Sequence, residues 1–174
     1  MNRKFFYLLV AAAATYALNS ANAEESAAKG KGFISIRDGR FIDGEGRQIL
    51  FHGMSVINKN KQEGYVYWQQ EEDFARMRHW GMNCIRLGIL WDGVEPEPGR
   101  FDASYLEMID ARVAWAKKYG LYVFLDMHQD LFSALYSDGA PGWATLSDGA
   151  AHVKAEGVWS DAYFTSPAVQ NAFD

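Results

Sequence analysis

Hydrophobic and polar positions alternate at the start of this chain and then change period. Residues 33–52, FISIRDGRFIDGEGRQILFH, place Phe33 and Ser35 against Ile34 and Ile36. An Asp38-Gly39 turn, a second short run and a Gly44-Glu45-Gly46 break follow. Asp-Gly between alternating runs predicts a β-hairpin. From Glu71 the period is helical: acids fill the first turn, Phe74 and Met77 lie three apart, and Gly81 follows Trp80 as a stop, so a helix is expected over 71–80. Asn83 to Ile89 reads as a strand. Asp102 is placed to cap a second helix, with Leu106, Ile109, Val113 and Ala116 as its apolar stripe, Lys117 and Lys118 in its last turn and Gly120 at its end. A third strand runs from Leu121 to His128, its apolar residues written for burial on both faces. Ser166-Pro167 opens a last helix.

Strands alternating with helices predict a parallel sheet covered by helices. A doubly wound sheet needs about five strands, and only three follow the hairpin. A β/α barrel needs eight units and typically ~250 residues. The expected fold class is therefore α/β, the N-terminal part of a (β/α)8 barrel preceded by a β-hairpin, with three β/α units in residues 33–174.

Composition changes the picture at the N-terminus. Arg3 and Lys4, an apolar run from Phe5 to Ala14, and Ala21-Asn22-Ala23 have the layout of a secretory signal peptide cleaved after Ala23. The run is too short for a membrane span of ~20 residues. Residues 24–32 then form a short tether, and the protein is expected to be secreted or periplasmic. Removing two of 17 basic residues leaves 15 against 22 acidic ones, a net charge of −7. That balance argues against nucleic acid as a partner. The single Cys84 cannot form an internal disulfide and reads as a buried, inert thiol.

Candidate chemistry collects where strands run out. In a barrel the site lies at the C-terminal ends of the strands and in the loops after them. Arg86 shares strand parity with Cys84 and Gly88, and a guanidinium among apolar residues requires a carboxylate partner or an anionic ligand. Asp126 and Asp130 on the next strand are the partners at hand, and the pair is either a structural bridge or an orienting device in a site. Asp126, His128 and Asp130 fall on alternate positions and so on one face. Two metal ligands with no third beside them are weak evidence for a metal, so polar contact with a substrate is the favoured reading over a satisfied core histidine. Trp91, Trp143 and Trp159 lie after strands, where an aromatic ring can pack or can stack on a sugar. Lys59 and Asn60 end the first loop, as solvated surface or as ligands.

The stretch GMNCIRLGILWDGVEPEPGRFDASYLEMIDARVAWAKKYGLYVFLDMHQD, residues 81–130, resembles glycoside hydrolase family 5. Within it ILWDGVEPEPG and LDMHQDLFS resemble the endoglycoceramidase-related branch, and the opening hairpin resembles the family's lead-in to its first strand. The resemblance covers residues 33–174. It implies a β/α barrel that hydrolyses a β-glycosidic bond with retention, without a cofactor or metal. Arg86 matches the arginine that supports the nucleophile, with Asp126 as its supporting neighbour. His128, Asp130, Lys59 and Trp91 match or lie beside positions that meet substrate. Both catalytic carboxylates of the family are glutamates on later strands, one in an Asn-Glu pair, so no catalytic residue is expected in this chain and both are expected beyond Asp174. Glu95 and Glu97, in a Pro-rich loop, do not replace them. The chain alone is expected to be inactive and to expose apolar strand edges. The substrate implied is a carbohydrate or glycolipid, glycosphingolipid first, which admits transient contact with a membrane surface. A β-glucan or other β-glycoside is the alternative within the family. A non-catalytic carbohydrate-binding module and a metal-dependent hydrolase using His128 and Asp130 are the alternatives outside it.

Overall fold

The computed structural model describes residues 33–174; the expected signal peptide and tether, 1–23 and 24–32, lie outside the described residues. Three short strands, β1 (Ser35–Arg37), β2 (Arg40–Ile42) and β3 (Gln48–Ile49), form an antiparallel sheet in the order β1-β2-β3. Asp38 and Gly39 take φ of 50° and 70° at its turn, the left-handed pair a tight hairpin requires. A separate parallel sheet follows in the order β4 (Gly53–Val56), β5 (Cys84–Leu90), β6 (Tyr122–His128). Its strands succeed one another without a reversal of order, as in an opening barrel and unlike a doubly wound sheet.

Helix α1 (Glu71–His79) joins β4 to β5. The Gln70 side chain and Asp73 make a reciprocal capping box at its start, and Trp80 is its C-cap rather than part of its last turn, because Gly81 follows with φ of 84°. A single turn, α2 (Trp91–Val94), leaves β5, and α3 (Ala103–Lys118) leads to β6. Asp102 caps α3 by accepting a hydrogen bond from the Tyr105 amide at 2.9 Å. After β6 a long loop with short helical turns reaches α4 (Ala162–Thr165) and α5 (Pro167–Phe173).

The core lies between the outer face of the sheet and the helices. Val56, Ile85 and Leu87 are fully buried there with Phe74, Met77, Ile109, Ala116 and Leu121. The face of α3 differs from its predicted stripe: Leu106 and Val113 are exposed, and Tyr105 and Arg112 are buried beside Ile109 and Ala116. The reason is specific. Tyr105 Oη accepts from the Leu90 amide at 3.1 Å. The Arg112 guanidinium donates to the Tyr67 and Gln69 carbonyls and lies over the Tyr67 and Trp115 rings. Burial of that cation is tolerated because carbonyl dipoles and ring faces replace water. A second difference concerns β6, whose Phe124, Leu125 and Met127 are exposed rather than covered on both faces. Among the described residues β6 pairs only with β5. Cys84 is half-buried, and burial raises its thiol pKa above the ordinary value. Among the described residues no helix is long and apolar enough to cross a membrane.

Candidate functional site

Parallel pairing places Gly53, Cys84 and Tyr122 in one row, and further along puts Gly88 opposite Asp126 and Leu90 opposite His128. Residues paired across a parallel sheet share a face. The inner face therefore carries Ser55, Arg86, Phe124, Asp126 and His128, with Gly88 between them. Gly88 has to be glycine: a Cβ there would meet Ile57 Cδ1 at 2.3 Å.

Arg86 and Asp126 form an ion pair with Nη2 and Oδ2 2.7 Å apart. Of the two carboxylates the sequence offered, the structure selects Asp126. The same Oδ2 lies 3.0 Å from His128 Nδ1. Arg86 Nη2 also lies 3.2 Å from Nδ1. A guanidinium can only donate and an ionised carboxylate can only accept, so Nδ1 sits between a donor and an acceptor and its proton follows the ring's tautomer. Nε2 is an acceptor in one neutral tautomer and a donor in the other. It is buried and has no hydrogen-bond partner among the described residues, facing Asp130 Oδ2 at 3.8 Å and Asp138 Oδ1 at 4.0 Å. A buried polar atom without a partner costs free energy unless something else supplies it.

Lys59, from the loop after β4, makes an ion pair with Asp130 Oδ2. Residues 71 positions apart thus meet across the mouth of the sheet. Asp138 completes the group and was not singled out from the sequence. Its backbone pairs with Asp130, and its Oδ1 accepts from the Asp130 amide at 3.0 Å. Burial, and then the neighbouring Asp130 charge, raise its pKa above the ordinary carboxyl value. Ligand atoms of His128, Asp130 and Asp138 lie within 4.8 Å of one another, close enough to hold a cation. The Lys59 ammonium already supplies a positive charge to Asp130, and a metal ion would have to displace it.

The turn after Asp130 is strained. Leu131 and Phe132 both have positive φ, 53° and 72°, a conformation that non-glycine residues adopt at a cost of about 1–3 kcal/mol each. It is held by Leu131 N–H donating to Tyr163 Oη at 2.9 Å and Phe132 N–H donating to Gln129 Oε1 at 2.6 Å.

A second missed residue, Asp92, joins the loops that carry these groups. It is buried and accepts from Lys61 Nζ at 2.9 Å and Tyr65 Oη at 2.6 Å, both on the first loop. Its own amide donates to the Gly139 carbonyl at 2.8 Å, next to Asp138. Burial, then the bond to Asp92, raises the Tyr65 pKa far above the phenol range. No periodic pattern marks Asp92, which lies in a single helical turn.

The remaining candidates stand apart from this cluster. Trp91 packs edge-to-face on Trp143 with ring centres 5.6 Å apart. The two indoles donate to Glu95, through Oε2 at 2.9 Å and the main-chain carbonyl at 3.1 Å. The Glu95 carboxyl is held below its usual range, first by the Trp91 bond and then by the Gly99 amide. It braces the aromatic pair, as expected of a loop residue. Asn60 caps a short 3-10 turn at Lys61–Glu63. Trp159 lies in the long loop after β6.

A family model for cellulase, glycosyl hydrolase family 5, matches residues 42–170. The chain belongs to glycosyl hydrolase family 5. An endoglycoceramidase of Cyanea nozakii is 34% identical over 157 residues, 74% of this chain and 31% of the relative. A crystal structure of an endogalactoceramidase superposes with a TM-score of 0.69 at 33% identity, over 82% of this chain and 35% of that one. Endo-glycoceramidase II of Rhodococcus sp., in complex with ganglioside GM3, superposes with a TM-score of 0.65 at 33% identity, over 76% of this chain and 32% of that one. The chain thus spans about a third of the length of these three relatives, and its three parallel strands are the opening part of the family's barrel.

Proposed function

We propose that this chain is the N-terminal part of an exported retaining β-glycosidase that cleaves the bond between an oligosaccharide and ceramide. Lys59, His128 and Asp130 bind the sugar, and both catalytic glutamates lie outside residues 1–174. The observation that carries this reading is the cluster at the strand ends. His128 Nε2 is a buried ring nitrogen without a hydrogen-bond partner among the described residues, and beside it the Lys59–Asp130 pair offers one donor and one acceptor. Sugar hydroxyls, which donate and accept at once, match that set. The likeness to enzymes named for ceramide glycosides favours a glycosphingolipid over a β-glucan.

Retention needs two carboxylates about 5 Å apart, one free to attack and one free to carry a proton. The strand-end carboxylates are otherwise engaged. Asp126 is committed to Arg86 and His128, Asp130 to Lys59, and Asp138 to the Asp130 amide. Arg86 is 44% exposed at its side chain on the inner face. There it supports a nucleophile brought by a later strand while Asp126 fixes its orientation.

The test is intact oligosaccharide release from lactosylceramide by the longer protein, followed by mass spectrometry. Arg86→Ala is expected to lower kcat by about 10²–10³, as for loss of an electrostatic stabiliser. Asp130→Asn, which removes the Lys59 pair, is expected to act mainly on KM, about tenfold. Unchanged kinetics in Arg86→Ala would remove its supporting role. Preferential cleavage of cello-oligosaccharides would move the substrate to β-glucan.

A further inference from the structure

We propose that Asp92 is a positioning residue for the sugar site. Through Lys61 and Tyr65 on one side and the Gly139 carbonyl on the other, it holds Lys59 against Asp130. This rests on the reading of Lys59 and Asp130 as sugar ligands.

Those two side chains come from loops that no strand pairing joins. Lys59 follows β4 and Asp130 follows β6, and among the described residues each of these strands pairs only with β5. Asp92 lies on α2, the single turn that leaves β5, and so stands between the two loops.

Toward the first loop Asp92 acts through its side chain, which is 6% exposed. Lys61 Nζ lies 2.9 Å from Oδ1 and 2.8 Å from Oδ2, and Oδ2 also accepts from Tyr65 Oη at 2.6 Å. A buried carboxylate is stable only when it is paired and hydrogen-bonded in this way. Lys61 opens the 3-10 turn that Asn60 caps, and the Tyr65 amide closes the loop by donating to the Asn60 carbonyl at 3.0 Å. The Asn60 amide in turn donates to Asn58 Oδ1 at 2.9 Å. Lys59, between these two asparagines, therefore moves with a turn that Asp92 grips at both ends.

Toward the third loop the contact is made by the main chain. The Asp92 amide donates to the Gly139 carbonyl at 2.8 Å. Gly139 follows Asp138, whose carboxylate accepts from the Asp130 amide, and a Cβ on Gly139 would meet Gln129 Cβ at 2.5 Å. That segment is thus fixed against the residue before Asp130. Side chain to one loop and main chain to the other makes the role separable. Asp92→Asn keeps the shape and the Gly139 bond, but turns one carboxylate oxygen into a donor facing the Lys61 and Tyr65 donors. Lys61, 61% exposed at its side chain, then turns to water, and Lys59 loses its frame while Asp130 keeps its own.

In the longer protein acting on lactosylceramide, Asp92→Asn is expected to raise KM about tenfold with kcat within about twofold, the pattern of lost uniform binding. Acylation of Lys59 by an amine-reactive reagent, followed by mass spectrometry, should be severalfold faster, because its ammonium is no longer held on Asp130. Added to Lys59→Met, Asp92→Asn should change KM by less than about twofold, since residues that act through one contact are not additive. Tyr65→Phe, which keeps the ring and drops one donor, should raise KM about threefold. It carries the same cycle if Asp92→Asn does not fold. An unchanged KM, an equal loss in kcat, or a KM effect that persists undiminished in Lys59→Met would overturn the proposal. Unchanged Lys59 acylation with intact turnover would also overturn it and leave the glycosidase reading standing. A parent protein that hydrolyses no glycolipid would remove that reading instead; faster acylation in Asp92→Asn would then still support the role of Asp92, and an unchanged rate would end it.

Discussion

Strands β5 and β6 are seven residues each, paired in register along their whole length, and similarly apolar in sequence. In β5, Ile85, Leu87 and Leu90 are fully buried. In β6, Phe124, Leu125 and Met127 are 64%, 57% and 62% exposed. The difference is not composition but neighbours: β5 has a strand on each side, while β6 has one strand beside it and shares helix α3 with β5. The polar ends reverse this order. Asp126 and His128 are ordered in β6 without a further strand, because Arg86 of β5 supplies their partner. The geometry of the candidate site is therefore built from contacts within three β/α units, while the apolar half of β6 is left without a second strand among the described residues. The sharpest break of this comparison is Leu87→Ala. It should cost about 2–5 kcal/mol in chemical denaturation, as a fully enclosed leucine does. A cost under about 1 kcal/mol would mean that β5 is not the centre of the core.

A smaller effect is expected at the polar end. Asp138 has its pKa raised, by burial first. An unfolded aspartate titrates near 3.8; below that pH both states hold the proton and nothing is lost. As the pH rises through the higher native value, the native carboxyl must ionise where charge is disfavoured, and stability falls. Asp138→Asn keeps an acceptor for the Asp130 amide and removes the charge. Its Tm advantage over the parent should be absent near pH 3.5 and grow by neutral pH. Parallel Tm profiles from acid to neutral pH would show that Asp138 ionises without penalty, and that His128 Nε2 faces an ordinary carboxylate.

What was legible in the sequence had either a period or a cost. Arg86 stood out because a permanent charge at a fixed parity in an apolar strand needs a partner, and parity left Asp126 and Asp130, of which the structure pairs Asp126. Asp102, Gly81 and Ser166-Pro167 were legible because chain ends of helices use few residue types. Asp138 and Asp92 were not legible. Asp138 lies in irregular chain and Asp92 in a single helical turn, where no repeat says which way a side chain faces, and each is defined by contacts outside its own turn. Arg112 was hidden for the opposite reason: a helix-surface arginine is the common case, and only the Tyr67 and Gln69 carbonyls make burial favourable. The candidate site was thus read at Arg86, Asp126, His128, Asp130 and Lys59 and missed at Asp138 and Asp92, whose contacts tie its loops together.

The smallest effect sharpens the comparison most. Leu125 lies opposite Leu87 in the sheet register, so the two leucines share a face and differ only in what covers them. In this chain Leu125→Ala should change stability by less than about 0.5 kcal/mol, the usual range for a surface position. Leu125→Lys should also reduce self-association measured by sedimentation, because a charge on an exposed apolar edge strand blocks pairing with another chain. In a longer protein whose next strand pairs with β6, the alanine change should instead approach the cost at Leu87. If Leu125→Ala is as costly as Leu87→Ala in this chain alone, something already covers the edge of β6, and the contrast between the two strands is false.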